Sequence, residues 1–507
     1  MSTEIELKYL VLTEINPEQI SQLLREKNIE FSYQEKQLAN HYFDTPKLEF
    51  RQYDMGLRVR TDNGRNEQTI KTAGQVVGGL HSRPEYNVDI DGQYPVLSLF
   101  PNEIWHPQQS ITELQDQLIT LFSTNFNRSV WLITDENNNK IELVLDEGLI
   151  ASGTLNENIC EIELELVNGT QDMLFSVAEV LFAAFLLRPG IKSKAARGYA
   201  LWNNIVDNKT DPSPSAFFIC DSRTDSIANA FNLGLNKGLT DLQQNTARCL
   251  LSHALTDLEK IKASLAVIRH GFWLFEAQLT PQELSIRNEL SHFVHMLAWV
   301  DNAINLQELT NKTGNYRKKL DFSEQLIEQL KIAKRRFPNH DDICQLLHSR
   351  RFNQLQLDIL KMYLSRIKSA TTGNVKNRSE LVQFARERIQ FSLSEISQEM
   401  KSAVSFNCEQ YIAQSKLLYR SLLTGTWLSG VFNSEHRDKF RRPWLDLQQG
   451  ISELQSLWII QQQLEKLSEP PKKLVLWQQG KVDGLLTALD NTKAMAIAMP
   501  PYWLEPL

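Results

Sequence analysis

Charged and apolar positions alternate in Glu4-Ile5-Glu6-Leu7-Lys8-Tyr9, with every charge at an even number. A strand repeats every two residues, so Glu4, Glu6 and Lys8 share one face and Ile5, Leu7 and Tyr9 the other. Further strand patterns run near 32–43, 56–62, 65–73, 79–90, 122–134, 140–151 and 159–167. A helix is predicted from Pro17 to Asn28, with Asn16 as its cap and proline at its first position. Another is predicted from Gln171 to Leu187, stopped by Arg188-Pro189-Gly190. From about Ser222 to Leu467 the apolar spacing becomes three and four, as in Leu250, Leu251, Ala254, Leu255, Leu258 and Ile261, which is the pattern of packed helices. The expected fold class is α+β: a closed eight-stranded antiparallel β-barrel with flanking helices, followed by an all-α helical bundle.

A chain of 507 residues exceeds a single core and implies two or three domains. The expected limits are a barrel domain over 1–202, a linker over 203–216, a helical domain over 217–468 and a proline-containing tail over 469–507. The longest apolar stretch, Val177 to Leu187, is interrupted by Glu179 and too short to cross a bilayer. An acidic, alternating N-terminus is no secretory signal. The five cysteines lie far apart along the chain without metal-type spacing, which points to reduced thiols and a cytoplasmic setting. Net charge is −7, divided as −12 over residues 1–200 and +5 over the remainder. Either ordinary surface variation or a polyanion-binding design accounts for that division.

The segment Gly56-Leu-Arg-Val-Arg-Thr-Asp-Asn-Gly-Arg-Asn-Glu-Gln-Thr-Ile-Lys71 carries a hairpin signal, because Asn63-Gly64 suits a two-residue turn with positive φ. That turn sets Asp62 opposite Arg65, Arg60 opposite Glu67, Arg58 opposite Thr69 and Gly56 opposite Lys71. Arg58, Arg60 and Lys71 then share a face, and Leu57, Val59 and Ile70 the other. The cations either line a barrel interior, where anions must compensate them, or form a basic ribbon open to water. The same habit recurs in Arg83-Pro-Glu85, in Arg128 among apolar neighbours, in Leu145-Asp146, and in Cys160-Glu161-Ile-Glu163-Leu-Glu165. One charged strand face is a surface; half a dozen suggest a polar lumen.

Taken together, Glu4-x-Glu6-x-Lys8, Gly56-Leu-Arg58-Val-Arg60, Thr69-Ile-Lys71, Arg83-Pro-Glu85, Arg128, Leu-Asp146, Cys-Glu161-Ile-Glu163 and Lys192-Ser-Lys194 resemble the CYTH superfamily of triphosphate tunnel metalloenzymes. The helical half looks like a CHAD domain, and the pair is similar to bacterial CYTH–CHAD inorganic triphosphatases. The resemblance implies metal-dependent hydrolysis of inorganic triphosphate to pyrophosphate and phosphate in the tunnel. Glu4, Glu6, Asp146, Glu161 and Glu163 would bind the metal, with Glu161 and Glu163 facing Glu4 and Glu6. Their all-oxygen character suits Mg²⁺ or Mn²⁺. Lys8, Arg58, Arg60, Lys71, Arg128 and Lys194 would grip phosphate oxygens, while Glu85 holds one of these cations in place. Glu4, Glu6, Lys8 and Asp146 would form the catalytic group. Arg83 and Arg197 are lesser candidates for the same grip, with surface ion pairing as the alternative, and Glu142 and Glu165 are solvated or supporting carboxylates.

No Ser-His-Asp set or phosphate-binding P-loop occurs, and no histidines fall in HExxH spacing. His41 and His81 are read as structural. The stretch His253 to Phe275 holds Lys260, Lys262, Arg269 and His270 but lacks the dense arginine face of CHAD modules. Basic groups at Lys334–Arg336, Arg350–Arg351 and Arg437–Arg442 leave polyphosphate a possible partner of this half. Neither nucleic acid nor membrane is an expected partner. On the same barrel, ATP cyclisation and thiamine triphosphate hydrolysis are rival reactions, and a non-catalytic polyphosphate-binding scaffold is a rival of another class.

Overall fold

A computed structural model describes residues 2–62, 64–108, 110–203, 218–370 and 377–504. These group into two compact units, one holding all the strands and their helices together with Leu346–Leu357, the other the remaining helices.

The first unit runs β1 (Ser2–Val11), α1 (Pro17–Glu26), β2 (Phe31–Asp44), α2 (Glu49–Gln52), β3 (Gly56–Asp62), β4 (Arg65–Lys71), β5 (Gln75–Val77) and β6 (Leu80–Ile90). It continues through α3 (Ile111–Asp116), β7 (Ile119–Thr134), β8 (Lys140–Ser152), β9 (Leu155–Asn168), α4 (Asp172–Ala184), β10 (Leu187–Pro189) and α5 (Lys194–Trp202). The strands neighbour one another in the order β1-β9-β8-β7-β2-β3-β4-β6, and β6 pairs back to β1. Eight antiparallel strands therefore close on themselves, while β10 and β5 extend β1 and β6 outside the ring. Closure removes the unpaired edges that an open sheet would expose.

Helix α1 starts at the expected place. Asn16 accepts from the Gln19 amide, Gln19 returns the bond to the Asn16 amide, and Pro17 occupies the first turn. The β3–β4 register is the one the hairpin argument predicts, from Asp62 opposite Arg65 to Gly56 opposite Lys71. Gly64 takes φ +81°, and Asn63 lies outside the described residues.

The apolar face of each strand packs outward against helices. Tyr9 meets Phe182 of α4 edge-on at 4.9 Å, and the Trp131 indole donates to Ser21 of α1 at 2.9 Å. Leu57, Val59 and Ile70 join Phe43, Phe50, Phe100, Trp105 and Leu114 in one outer core. Strand alternation then leaves the opposite, charged face for the interior. A second core of Leu38, Tyr42, Phe122, Phe126 and Tyr199 lies on that inner face, where α5 packs against it.

The other unit is built of helices, including Ile227–Ser252, Leu255–Leu274, Cys408–Leu428 and Ser434–Leu464. Residues 472–498, read from sequence as part of a tail, form a helix that packs along Ser434–Leu464. The expected linker falls, from residue 204 onward, outside the described residues. No described helix is long and apolar enough to cross a membrane.

Candidate active site

The registers carry one face around the whole ring. On β1 and β9, Lys8 stands opposite Glu163 and Glu6 opposite Glu165; on β9 and β8, Glu161 stands opposite Asp146. Asp146 faces Arg128, Arg128 faces Lys36, and Asn40 faces Arg60. Lys71 faces Glu85, and Glu4 faces Arg83 to close the circuit. Every pair shares the inner face, so the charged residues singled out in the sequence meet in one lumen.

Within it, three carboxylates converge. Oxygens of Asp146, Glu161 and Glu163 lie within 4.8 Å of one another, and all three residues are buried. Buried anions require nearby cations, and three supply them. Lys8 Nζ is 2.6 Å from Glu163, 3.5 Å from Glu161 and 3.7 Å from Glu6. Arg128 grips Asp146 with Nε and Nη2, each at 2.7 Å, and reaches Glu163 at 3.0 Å. Lys194, at the start of α5, contacts Asp146 at 2.6 Å, Glu163 at 3.0 Å and also Glu161.

Lys194 reaches the cluster because α5 sits close to β7. Gly198, one turn further along, faces the Phe122 ring, and a methyl group there would lie 2.1 Å from a ring carbon. Phe126 forms an apolar floor, with Lys194 5.1 Å and Arg128 5.7 Å from its centroid.

A second group lies along β3, β4 and β6. Lys71 pairs with Glu4 and, at 3.4 Å, with Glu85, which also holds Arg58 at 3.3 Å. Arg58 Nε is buried without a hydrogen-bond partner. Arg60 differs from the other cations: its Nε donates to Asn40 at 2.8 Å, and no carboxylate among the described residues comes within 4.0 Å. Asn40 is fixed in turn by donating to Thr124 at 2.9 Å.

Protonation follows these neighbours. Burial opposes the charge on Lys8, but Glu161, Glu163 and Glu6 outweigh it and hold the ammonium well above its usual range. Burial would likewise raise Glu163 and Asp146, yet Lys194, Lys8 and Arg128 keep Glu163 well below the ordinary value, and Arg128 and Lys194 keep Asp146 low. Burial raises Glu6, with Lys8 opposing and Glu163 and Glu4 adding to the shift. Burial, together with Glu4, pushes Glu165 up to about 7. Burial and then the like charges of Arg58 and Arg128 bring Arg60 down to about 10.

One expected juxtaposition differs. Glu161 and Glu163 were expected to face Glu4 and Glu6, but β1 is displaced so that Lys8 stands opposite Glu163. The slide is four residues, and any even slide leaves the face unchanged, so alternation alone cannot distinguish the two registers. The converging carboxylates are therefore Asp146, Glu161 and Glu163, with Glu6 beside Lys8 and Glu4 held by Lys71. Arg197, a lesser grip candidate whose alternative was a surface ion pair, is buried and binds Glu157 at 2.6 Å and Glu161 at 3.1 Å. His81 shares the inner face with Glu6, contacts the Gly190 carbonyl at 3.1 Å, and is lowered by burial and by Lys8. His41 is on the outer face, opposite Val59. Asn40 was not singled out from sequence, although its position between inward Leu38 and Tyr42 was a signal once the register was known.

The oxygen-only group Asp146, Glu161 and Glu163 fits a hard divalent cation in donor type and spacing. The surrounding lysines and arginines fit a polyanion, and the orphaned Arg58 Nε gives one such donor in place.

Comparison with known proteins is concordant. Residues 2–199 match the CYTH domain family. An inorganic triphosphatase of Haemophilus influenzae is 38% identical over 206 residues, which are 40% of this chain and 55% of that protein. The chain thus spans about half the length of that relative. Among solved structures, a Hippeastrum adenylyl cyclase candidate with dominant triphosphatase activity is 18% identical, covering 41% of this chain and 98% of its own, with a TM-score of 0.28. The CHAD domain of Ricinus communis is 15% identical over 58% of this chain and 98% of its own, with a TM-score of 0.40.

Proposed function

We propose that residues 2–199, which match the CYTH domain, hydrolyse inorganic triphosphate to pyrophosphate and phosphate inside the barrel, with Mg²⁺ or Mn²⁺ bound. The observation that carries this reading is the lumen itself, where Lys8, Arg58, Arg60, Lys71 and Arg128 on a closed inner face, joined by Lys194 from α5, surround three converging buried carboxylates. Phosphoryl transfer asks the protein mainly for alignment and charge neutralisation, and this lining supplies both.

Asp146, Glu161 and Glu163 would hold the divalent cation, with Glu6 and Glu4 completing the acidic side of β1. When bound, the cation supplies Lewis-acid neutralisation of phosphoryl oxygens. Arg58, Arg60 and Lys71 form one phosphate grip, and Lys8, Arg128 and Lys194 the other. Those last three are counter-ions of the carboxylates that would hold the cation, and would also present donors to phosphate oxygens. Glu85 orients Arg58 and Lys71.

The reading extends to the rest of the chain. Residues 1–202 form the catalytic domain, 203–216 the linker, 217–468 the helical domain and 469–507 its C-terminal extension, in a cytoplasmic protein. Polyphosphate is the partner assigned to the helical half. It would bind in the groove beside Arg437, Lys439, Arg441 and Arg442, which Asp438, Asp446 and apolar side chains also line.

Phosphate release from tripolyphosphate, ATP and thiamine triphosphate, with Mg²⁺ or Mn²⁺ and with cyclic AMP measured alongside, tests the assignment. Tripolyphosphate should be turned over fastest, and the doubly substituted Glu4→Gln/Glu6→Gln protein should be inactive at every metal concentration. Cyclic AMP as the main product, or undiminished turnover in that variant, defeats the reading.

A further inference from the structure

Two short pairs in the helical unit bring thiol and imidazole groups together. Cys249 and His253 are four residues apart at the end of the helix Ile227–Ser252, with His253 as its left-handed cap at φ +57°. His340 and Cys344 are four apart on the helix His340–His348. A spacing of four places His340 and Cys344 on one helical face, one turn apart, while His253 follows Cys249 just beyond its helix end. In the fold the two pairs meet. Cys344 Sγ lies 3.2 Å from His340 Nε2, and the His253 and His340 ring centroids are 3.6 Å apart. Ordinary aromatic pairs sit about 4.5–7 Å apart, so these imidazoles converge more closely than packing alone requires. Cys249 is near enough to Cys344 for the two to influence each other electrostatically.

We propose that Cys249, His253, His340 and Cys344 form a structural binding site for a zinc(II) ion in the helical unit, separate from the carboxylate cluster of the barrel. Two thiolates and two imidazoles are a donor set zinc takes in closed tetrahedral sites, whereas Mg²⁺ and Mn²⁺ prefer oxygen. Around such an ion, a sulfur and a nitrogen ligand stand about 3.5 Å apart, close to the Cys344–His340 spacing. Among the described residues only the barrel carboxylates already hold three ligand atoms mutually within 4.8 Å, so zinc must draw the four side chains inward. His253 is exposed at a helix end and has room to rotate.

Burial, with Asp257 and Cys344 adding, pushes the Cys249 thiol up to about 12, and burial with Asp341 raises Cys344. Binding therefore releases two thiol protons to solvent, and the divalent charge is balanced by the two thiolates that remain. The ion would fasten the end of Ile227–Ser252 to His340–His348. Sequence spacing alone conceals the set, because neither pair contains two cysteines.

Titration of the reduced full-length protein with Co²⁺, followed by visible and near-ultraviolet absorption, tests the site. One equivalent should produce tetrahedral d–d bands with a thiolate-to-cobalt charge-transfer band, and Zn²⁺ should abolish both. The band should survive Asp146→Asn, which disables only the barrel cluster. It should weaken at least tenfold in apparent affinity in Cys344→Ala and in His253→Ala, the latter altering an exposed side chain the fold does not depend on. Absence of the charge-transfer band at saturating Co²⁺, or its persistence unchanged in both variants, overturns the proposal.

Discussion

Arg128 and Asp146 stand directly opposite each other on neighbouring strands and share a two-pronged ion pair with both contacts at 2.7 Å. The carboxylate that neutralises this arginine also belongs to the group of three converging carboxylates. On the proposed function, one side chain would link metal binding to the availability of a phosphate donor. Asp146→Asn should lower turnover by on the order of 100-fold or more, since a charge aimed at the reacting group is lost. Tripolyphosphate binding should persist, because Arg128 and Lys194 lose an anionic competitor. Calorimetric titration alongside phosphate release separates these effects.

Arg60 is held by an amide and not by a carboxylate. Its removal leaves no buried anion stranded, so Arg60→Ala should melt within about 1 kcal/mol of the parent. The KM for tripolyphosphate should nevertheless rise at least about tenfold, equivalent to roughly 1.4 kcal/mol of binding. Arg128→Ala should behave differently. It removes the two-pronged partner of Asp146 and one of three cations on Glu163, leaving Lys194 and Lys8 as their counter-ions, so the loss should approach the roughly 3–5 kcal/mol of a broken buried pair. Denaturant titration of the two variants compares them directly.

The position of Lys194 depends on a residue with no functional group. A methyl group on Gly198 would press into Phe122, and α5 would have to move away from the barrel. Gly198→Ala should therefore cost about 1–3 kcal/mol through overpacking and lower kcat together with stability. Phe122→Leu in the same chain should recover part of both, by relieving the collision. A Gly198→Ala protein of unchanged melting temperature and kcat would rule out this spacing role.

His270, one of the sparse basic residues of the helical half, is buried and bonded to Thr424 at 2.9 Å. Burial, reinforced by Arg420 and Arg269, brings it down to about 3. As pH falls below about 6.5 the unfolded chain gains a proton that the folded chain refuses. The contribution is thus present above that pH and is lost on acidification, at up to about 1.4 kcal/mol per pH unit until the folded value is reached. His270→Gln should flatten this part of the stability profile between pH 6.5 and 4, measured by denaturant unfolding.

What could be read in advance was local geometry. Alternation identified the inner face of β1, and the Asn-Gly turn fixed which residues of β3 and β4 stand opposite each other. Choices that leave local patterns unchanged could not be read. A four-residue slide of β1 against β9 preserves every inward side chain but exchanges Glu4 for Lys8 opposite Glu163. Groups entering from elsewhere were equally hidden: Arg197 reaches Glu161 from a helix, and Asn40 becomes relevant only through the position of Arg60. The convergence of His253 and His340 likewise depends on how distant helices pack.

Barrel closure also dictates a timetable during synthesis. Lys8 finds Glu161 only 153 positions further along the chain, so β1 must wait on the ribosome until nearly the whole barrel has emerged. Until then β1 can pair with β6 on one side alone, and its other edge stays open. Such long-range ladders form slowly and leave the unfinished sheet open to aggregation. Chaperone demand should therefore peak just before β9 clears the exit tunnel, well before the helical half is made.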